Sequence, residues 1–170
     1  GEVPPESIRF VCLKNHLSKL ICVDTDRCGF YAKVDELEDK NHNNRCPNCY
    51  GLAIEITDKV FDDIIPMLKV GVTENKIAAT MSYKFKEYGA EGDSYDPIVA
   101  SGWRSALPHA TPSEKCFEKE DFVVMDFGAL YNGYHADMTR TVVIGKATKQ
   151  HEEIYSIVLE SQLTGIKTAK

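Results

Sequence analysis

The sequence predicts an α+β fold, an antiparallel sheet covered by helices and preceded by a small cysteine-rich unit. Phe122 to Phe127 and Tyr134 to Ile144 are β-prone runs joined through Asn132-Gly133, the strongest short-range hairpin signal. Apolar residues recur at helical spacing from about Ala53 to Leu68 and again after Thr73. Five of the six cysteines fall before residue 50, which points to a local site and not to a framework stapling the whole chain.

With Asn132 and Gly133 as the two loop residues, Tyr131 faces Tyr134, Gly128 faces Asp137 and Asp126 faces Thr139. Asp126 and Asp137 then share one face as diagonal neighbours, roughly 7 Å apart at Cα. Gly128, lacking a side chain, leaves the space between them open. Arg140 is one position out of phase and points the other way. Two carboxylates converging beside Val123, Val124 and Val142 repel each other, and burial sharpens the repulsion unless a cation lies between them. A divalent ion, or a carboxylate-bridged pair about 3.5–4 Å apart, would neutralise them. A solvated hairpin tip with two surface charges is the other reading of the same spacing.

In chain order, Ile56, Val60, Phe61, Ile64, Ile65 and Leu68 form the inward stripe of a first helix, which Pro66 should kink or end. Gly71-Val72-Thr73 breaks the pattern. Thr73 then caps a second helix that opens with Glu74, buries Ile77, Met81 and Phe85, and stops at Gly89. Residues 89–94 read as a turn, 97–101 as a short strand, and 102–113 as a loop with prolines on both sides of His109. A proline-stiffened histidine 17 residues before Asp126 suits proton transfer or substrate contact; a solvated side chain is the ordinary alternative. The last helix starts near Lys149 under a Thr148 cap and should carry Ile154, Ile157, Val158 and Ile166 inward. His151-Glu152-Glu153 lacks the spacing that places two metal ligands on one helix face and reads as a solvated first turn.

The first 51 residues read as a separate zinc-ribbon-like unit. Cys46-Pro47-Asn48-Cys49 has the form of a zinc knuckle, 17 residues separate Cys28 from Cys46, and five separate Cys22 from Cys28. The expected structural zinc ligands are Cys22, Cys28, Cys46 and Cys49, with Cys12 as substitute; free thiols or a disulfide are the competing readings. Hydrophobic content of 43% and charged content of 27% are those of a globular protein. The net charge of −6 argues against nucleic acid as the main partner. No apolar run nears the roughly 18 residues of a membrane helix, and no signal-peptide pattern opens the chain, so a cytoplasmic setting without membrane partners is expected. Gly1 in place of Met is what a processed or excerpted chain would show.

The hairpin DFGALYNGYHADMTRT (126–141), together with SYDPIVASGWRSALPHATPSEK (94–115) and RTVVIG (140–145), resembles the pita-bread metallopeptidases, closest to their Xaa-Pro aminopeptidase and prolidase branch. The similarity runs from about Ala53 to the end. It implies that residues 52–170 form the N-terminal half of a pita-bread (creatinase/aminopeptidase-like) domain. It further implies that Asp126 and Asp137 are ligands of a dinuclear centre of manganese, cobalt or zinc, and that His109 lies near a peptide substrate. Relatives complete the centre with a histidine and two glutamates from a second half. The chain alone is therefore expected to bind metal weakly, to turn over little, and to self-associate, as a homodimer for instance, through the face its twin would cover. The rival expectation is a non-catalytic interaction module joining a zinc ribbon to a half-domain.

Overall fold

The apolar stripe from Ala53 builds α1 (Pro47–Ile64), and Pro66 ends it in a 3-10 turn, Ile65–Met67, as the missing amide of proline requires. The computed structural model describes residues 47–168. Helix α1 begins ahead of the expected start near Ala53, with Pro47 at a first-turn position that needs no amide donor. The stretch 47–51, expected as a zinc-knuckle turn, therefore has helical backbone, and the expected domain boundary after residue 51 falls inside a helix. Cys49 lies on this helix, whereas Cys12, Cys22, Cys28 and Cys46 lie outside the described residues, as does the zinc-ribbon expectation built on them.

Helix α2 (Glu74–Glu87) is capped by Thr73, whose Oγ1 accepts from the Lys76 amide at 3.1 Å. Its end is a Schellman closure: the Ala90 amide donates to Phe85 O at 2.9 Å and the Gly89 amide to Lys86 O at 3.1 Å. Ile77, Met81 and Phe85 are fully buried, as their spacing predicts.

The strands are β1 (Gly92–Asp93), β2 (Ile98–Ser101), β3 (Phe122–Phe127), β4 (Ala129–Tyr131), β5 (Tyr134–His135) and β6 (Met138–Val143). They form two antiparallel three-stranded sheets, ordered β1-β4-β5 and β2-β3-β6. The hairpin register is the one the sequence predicts, with Tyr131 opposite Tyr134 and Asp126 opposite Thr139. Asn132 (φ 49°) and Gly133 (φ 76°) both occupy the left-handed region, as a tight turn matched to strand twist requires. The two arms are not continuous strands, however. Each breaks at the level of Gly128 and Asp137, where the Gly128 carbonyl accepts from the Ser94 amide at 2.8 Å and the Ala129 amide donates to Thr57 Oγ1 at 3.0 Å. Those bonds tie the break to the β1–β2 connection on one side and to α1 on the other.

Alternation along β3 sends Val123, Met125 and Phe127 into the core beneath α1 and α2, where the Phe127 ring lies 6.1 Å from Phe61 and 6.4 Å from Phe85. Arg140 shares the helix side, with its guanidinium 5.5 Å over the Phe61 ring and 3.6 Å from Asp58. The opposite face therefore carries Asp126.

Helix α3 (Lys149–Thr168) is capped by Thr148, but His151 is not the solvated residue expected. Its Nδ1 accepts from the Thr148 amide at 3.0 Å while its own amide lies 3.4 Å from Thr148 Oγ1, a reciprocal capping arrangement. The other ring nitrogen, Nε2, then carries the proton and donates to Glu120 O at 2.9 Å. His151, Tyr155 and Leu159 succeed one another at four-residue steps, so this anchor turns Tyr155 and Leu159 toward the core. Ile154, Ile157 and Val158, expected inward, are 44%, 58% and 62% exposed, and only Ile166 of that group is half-buried. The helix carries a second apolar stripe through Tyr155 and Leu159, and the His151 contact turns that one inward. Among the described residues no helix is long and apolar enough to cross a membrane.

Candidate metal centre

Asp126 occupies the next-to-last position of β3, and Asp137 lies between β5 and β6 where the second arm breaks. Both are half-buried. They meet at a third side chain: the Tyr95 hydroxyl lies 2.8 Å from Asp137 Oδ1 and makes a short hydrogen bond to Asp126 Oδ1. One phenolic oxygen thus faces both carboxylates, so the two acids point into a single space, as the register predicts. Tyr95 arrives there from the β1–β2 connection, which the hairpin itself holds: the Ser94 amide donates to Gly128 O, and His135 Nδ1 contacts Ser94 O at 3.0 Å.

The electrostatics of this meeting are unfavourable without a cation. Burial pushes the Asp126 carboxyl above its ordinary value, and the charge and hydrogen bonding of Asp137 push it further; hydrogen bonds from Tyr95 and Thr139 oppose the shift. The Tyr95 hydroxyl is itself driven upward by burial and by its bonds to both aspartates, so it remains a donor. Tyr95→Phe removes the shared donor and leaves the like charges facing each other. It is expected to lower the unfolding free energy of the metal-free chain by about 1.5–3 kcal/mol in urea denaturation. An unchanged midpoint would show that Tyr95 does not hold the pair.

Gly128 does not keep the gap between the aspartates open. A side-chain carbon there would lie 1.8 Å from Ala136 O, so the facing backbone already fills that space. Glycine lets the two arms close to the distance that brings the acids together.

His109 is exposed on the turn after the 3-10 segment Gly102–Ala106, and among the described residues no hydrogen bond joins it to the aspartates. No group of three or more His, Cys, Asp or Glu side chains suited to a metal occurs among the described residues, so this part of the chain offers two carboxylates.

Sequence reasoning missed two residues around this site. Tyr95 lies 31 positions before Asp126, and only the three-dimensional path of β1 and β2 reveals their meeting. Glu74 reads as an ordinary first-turn glutamate yet is fully buried. Its one signal was its position just after a Thr cap, which says nothing of the loop it binds.

Residues 48–170 match the sequence profile of metallopeptidase family M24. The Xaa-Pro dipeptidase of Pyrococcus furiosus is 47% identical over 118 residues, which cover 69% of this chain and 34% of that protein. Among solved structures, the X-Pro aminopeptidase from Thermotoga maritima superposes with a TM-score of 0.68 at 46% identity, covering 72% of this chain and 35% of the other. The Xaa-Pro dipeptidase from Bacillus anthracis superposes with a TM-score of 0.67 at 43% identity, over 72% and 35% of the two chains. The chain spans about a third of the length of these relatives. The α+β architecture with antiparallel sheets agrees with the pita-bread class that the hairpin resembled.

Proposed function

Because the chain belongs to metallopeptidase family M24, we propose that it supplies the aspartate-bearing part of a dinuclear-metal aminopeptidase that releases the N-terminal residue of Xaa-Pro peptides. The observation that carries this reading is the meeting of Asp126 and Asp137 at one Tyr95 hydroxyl.

The donor set fits a divalent cation. Two carboxylates converge, and Asp126 carries the strain of burial and of its neighbour's charge, which a cation relieves. Oxygen ligands suit manganese and cobalt, and zinc is also accommodated. When bound, such ions lower the pKa of a coordinated water toward neutrality and polarise a scissile carbonyl. Asp126 and Asp137 would hold them. The single Tyr95 hydroxyl lies within hydrogen-bond distance of Oδ1 of both carboxylates; it would donate to one at a time and keep the two turned toward a common space. His109, exposed on its loop, is the chain's candidate for donating a hydrogen bond or proton to the substrate at the leaving nitrogen of proline.

The test is hydrolysis of a Xaa-Pro peptide by the gene product that carries this sequence, supplied with Mn2+. Release of the N-terminal residue that a chelator stops, and that His109→Ala slows by about a hundred-fold or more, is expected. A cation bound at Asp126 and Asp137 with no hydrolysis of any peptide would sink the enzyme reading in favour of a binding module.

A further inference from the structure

Outside the aspartate pair, the most heavily bonded group among the described residues is the Glu74 carboxylate at the start of α2. It is 0% exposed and accepts from five donors. Oε1 takes the Ser101 amide at 2.7 Å and the Ser101 hydroxyl at 2.9 Å. Oε2 takes Arg104 Nε at 3.0 Å, the Ser113 amide at 3.1 Å and the Ser113 hydroxyl at 2.7 Å. The serine donors share one property. Ser101 is where β2 ends and Ser113 is where the His109 loop returns, so the carboxylate grips both ends of the segment between them. Arg104, inside the loop, continues the chain of contacts, with Nη2 donating to Thr111 O at 2.5 Å, two residues beyond His109.

The backbone of α2 reinforces the same junction. The Glu74 amide donates to Lys115 O at 3.1 Å and the Asn75 amide to Ser113 O at 3.0 Å. These bonds hold the returning end of the loop but touch nothing before Ser113. The Glu74 side chain bonds to both ends at once, Ser101 and Ser113. Burying a carboxylate costs several kcal/mol unless it is fully paired, a cost that a loop needing only to connect two strands gives no reason to bear. Full pairing of such a network instead rigidifies the groups it joins.

We propose that Glu74 is a positioning residue for His109. It sets the width and orientation of the 101–113 loop and thereby the place from which the imidazole acts. This rests on the peptidase reading for the role of His109, but not for the clamp itself.

Glu74→Gln keeps the volume of the side chain and replaces one acceptor with a donor that must face Arg104 and Ser113 or Ser101. Amides of residues 104–112 are expected to exchange with solvent at least about ten-fold faster, while those of strand 122–127 keep their protection. Trp103, the only tryptophan and 72% exposed, sits beside Arg104 with the guanidinium 5.7 Å from its ring. Its fluorescence reports the same loosening. Ser113→Ala, which removes one donor and leaves the carboxylate buried, is expected to give a smaller acceleration of about three-fold and guards against a variant that does not fold.

In Xaa-Pro hydrolysis, Glu74→Gln is expected to lower kcat at least about ten-fold with KM little changed, and to cost nothing further in a His109→Ala background. A general loss of stability would instead reduce activity equally in both backgrounds, and that result, or unchanged exchange of residues 104–112, overturns the proposal. If the protein hydrolyses no peptide, the peptidase reading falls and the exchange measurement alone decides on the clamp.

Discussion

Asp126→Asn is expected to change stability in opposite directions with and without a divalent cation. In chelator, the variant should unfold at or above the temperature of the unsubstituted chain, because the substitution removes one of two like charges that face a single hydroxyl. Burial and the Asp137 charge both raise the energy of the ionised Asp126 carboxylate, and an amide of the same shape escapes both. With Mn2+ at about a hundred times its Kd, the unsubstituted chain gains about 2.7 kcal/mol. For a domain of this size that is a rise of roughly 5–10 °C in Tm. Asp126→Asn and Asp137→Asn should each lose most of that rise. Differential scanning calorimetry with and without chelator reads both halves of the expectation. An equal rise in all three proteins would place the cation elsewhere, the cysteines before residue 50 being the obvious alternative, and would end the metal assignment at the hairpin. Aspartates that serve only to solubilise a hairpin tip would show neither effect, so the reversal of sign separates the two readings that the spacing left open.

The hairpin was legible because its register follows from one local signal. Once Asn132 and Gly133 occupy the turn, the two-residue period of the strands dictates every pair, and the observed pairing of Asp126 with Thr139 is a consequence. The buried stripe of α2 was legible for a similar reason, since three residues at four-residue steps leave one inward face. Helix α3 was not, because its sequence carries two apolar stripes and the choice between them rests on a contact between His151 and Glu120, 31 residues earlier in the chain. The site divides along the same line. Periodicity brings Asp126 and Asp137 to one face, but the Tyr95 hydroxyl between them depends on where the β1–β2 connection crosses the hairpin. Glu74 is a stronger case: its residue type and helix position predict exposure, and only the five donors that surround it explain why it is buried.

Gly128 matters because the facing backbone leaves no room for a side chain there, and Gly128→Ala tests this. A side-chain carbon at this position would stand 1.8 Å from Ala136 O and 2.5 Å from Ala136 C. The obstacle is backbone on the facing arm, so no rotamer change relieves it. The arms must separate, which strains the Ser94 amide bond to Gly128 O and the Ala129 amide bond to Thr57 Oγ1. Overpacking that side chains can absorb costs about 1–3 kcal/mol, and a clash against fixed backbone exceeds it, so a loss of about 4 kcal/mol or more is expected. Out of a total stability of about 5–15 kcal/mol, that is a shift large enough to read in a single urea titration. Gly92→Ala is the control: it lies in the adjoining strand β1, a side-chain carbon there meets nothing within 4 Å, and its cost should stay within about 0.5 kcal/mol. The same separation moves Asp126 and Asp137 apart, so Gly128→Ala should also lose the Mn2+-dependent rise in Tm while both carboxylates remain. A Gly128→Ala chain as stable as the control would mean that the arms are not in contact at this point. The convergence of the two acids would then lose its structural cause.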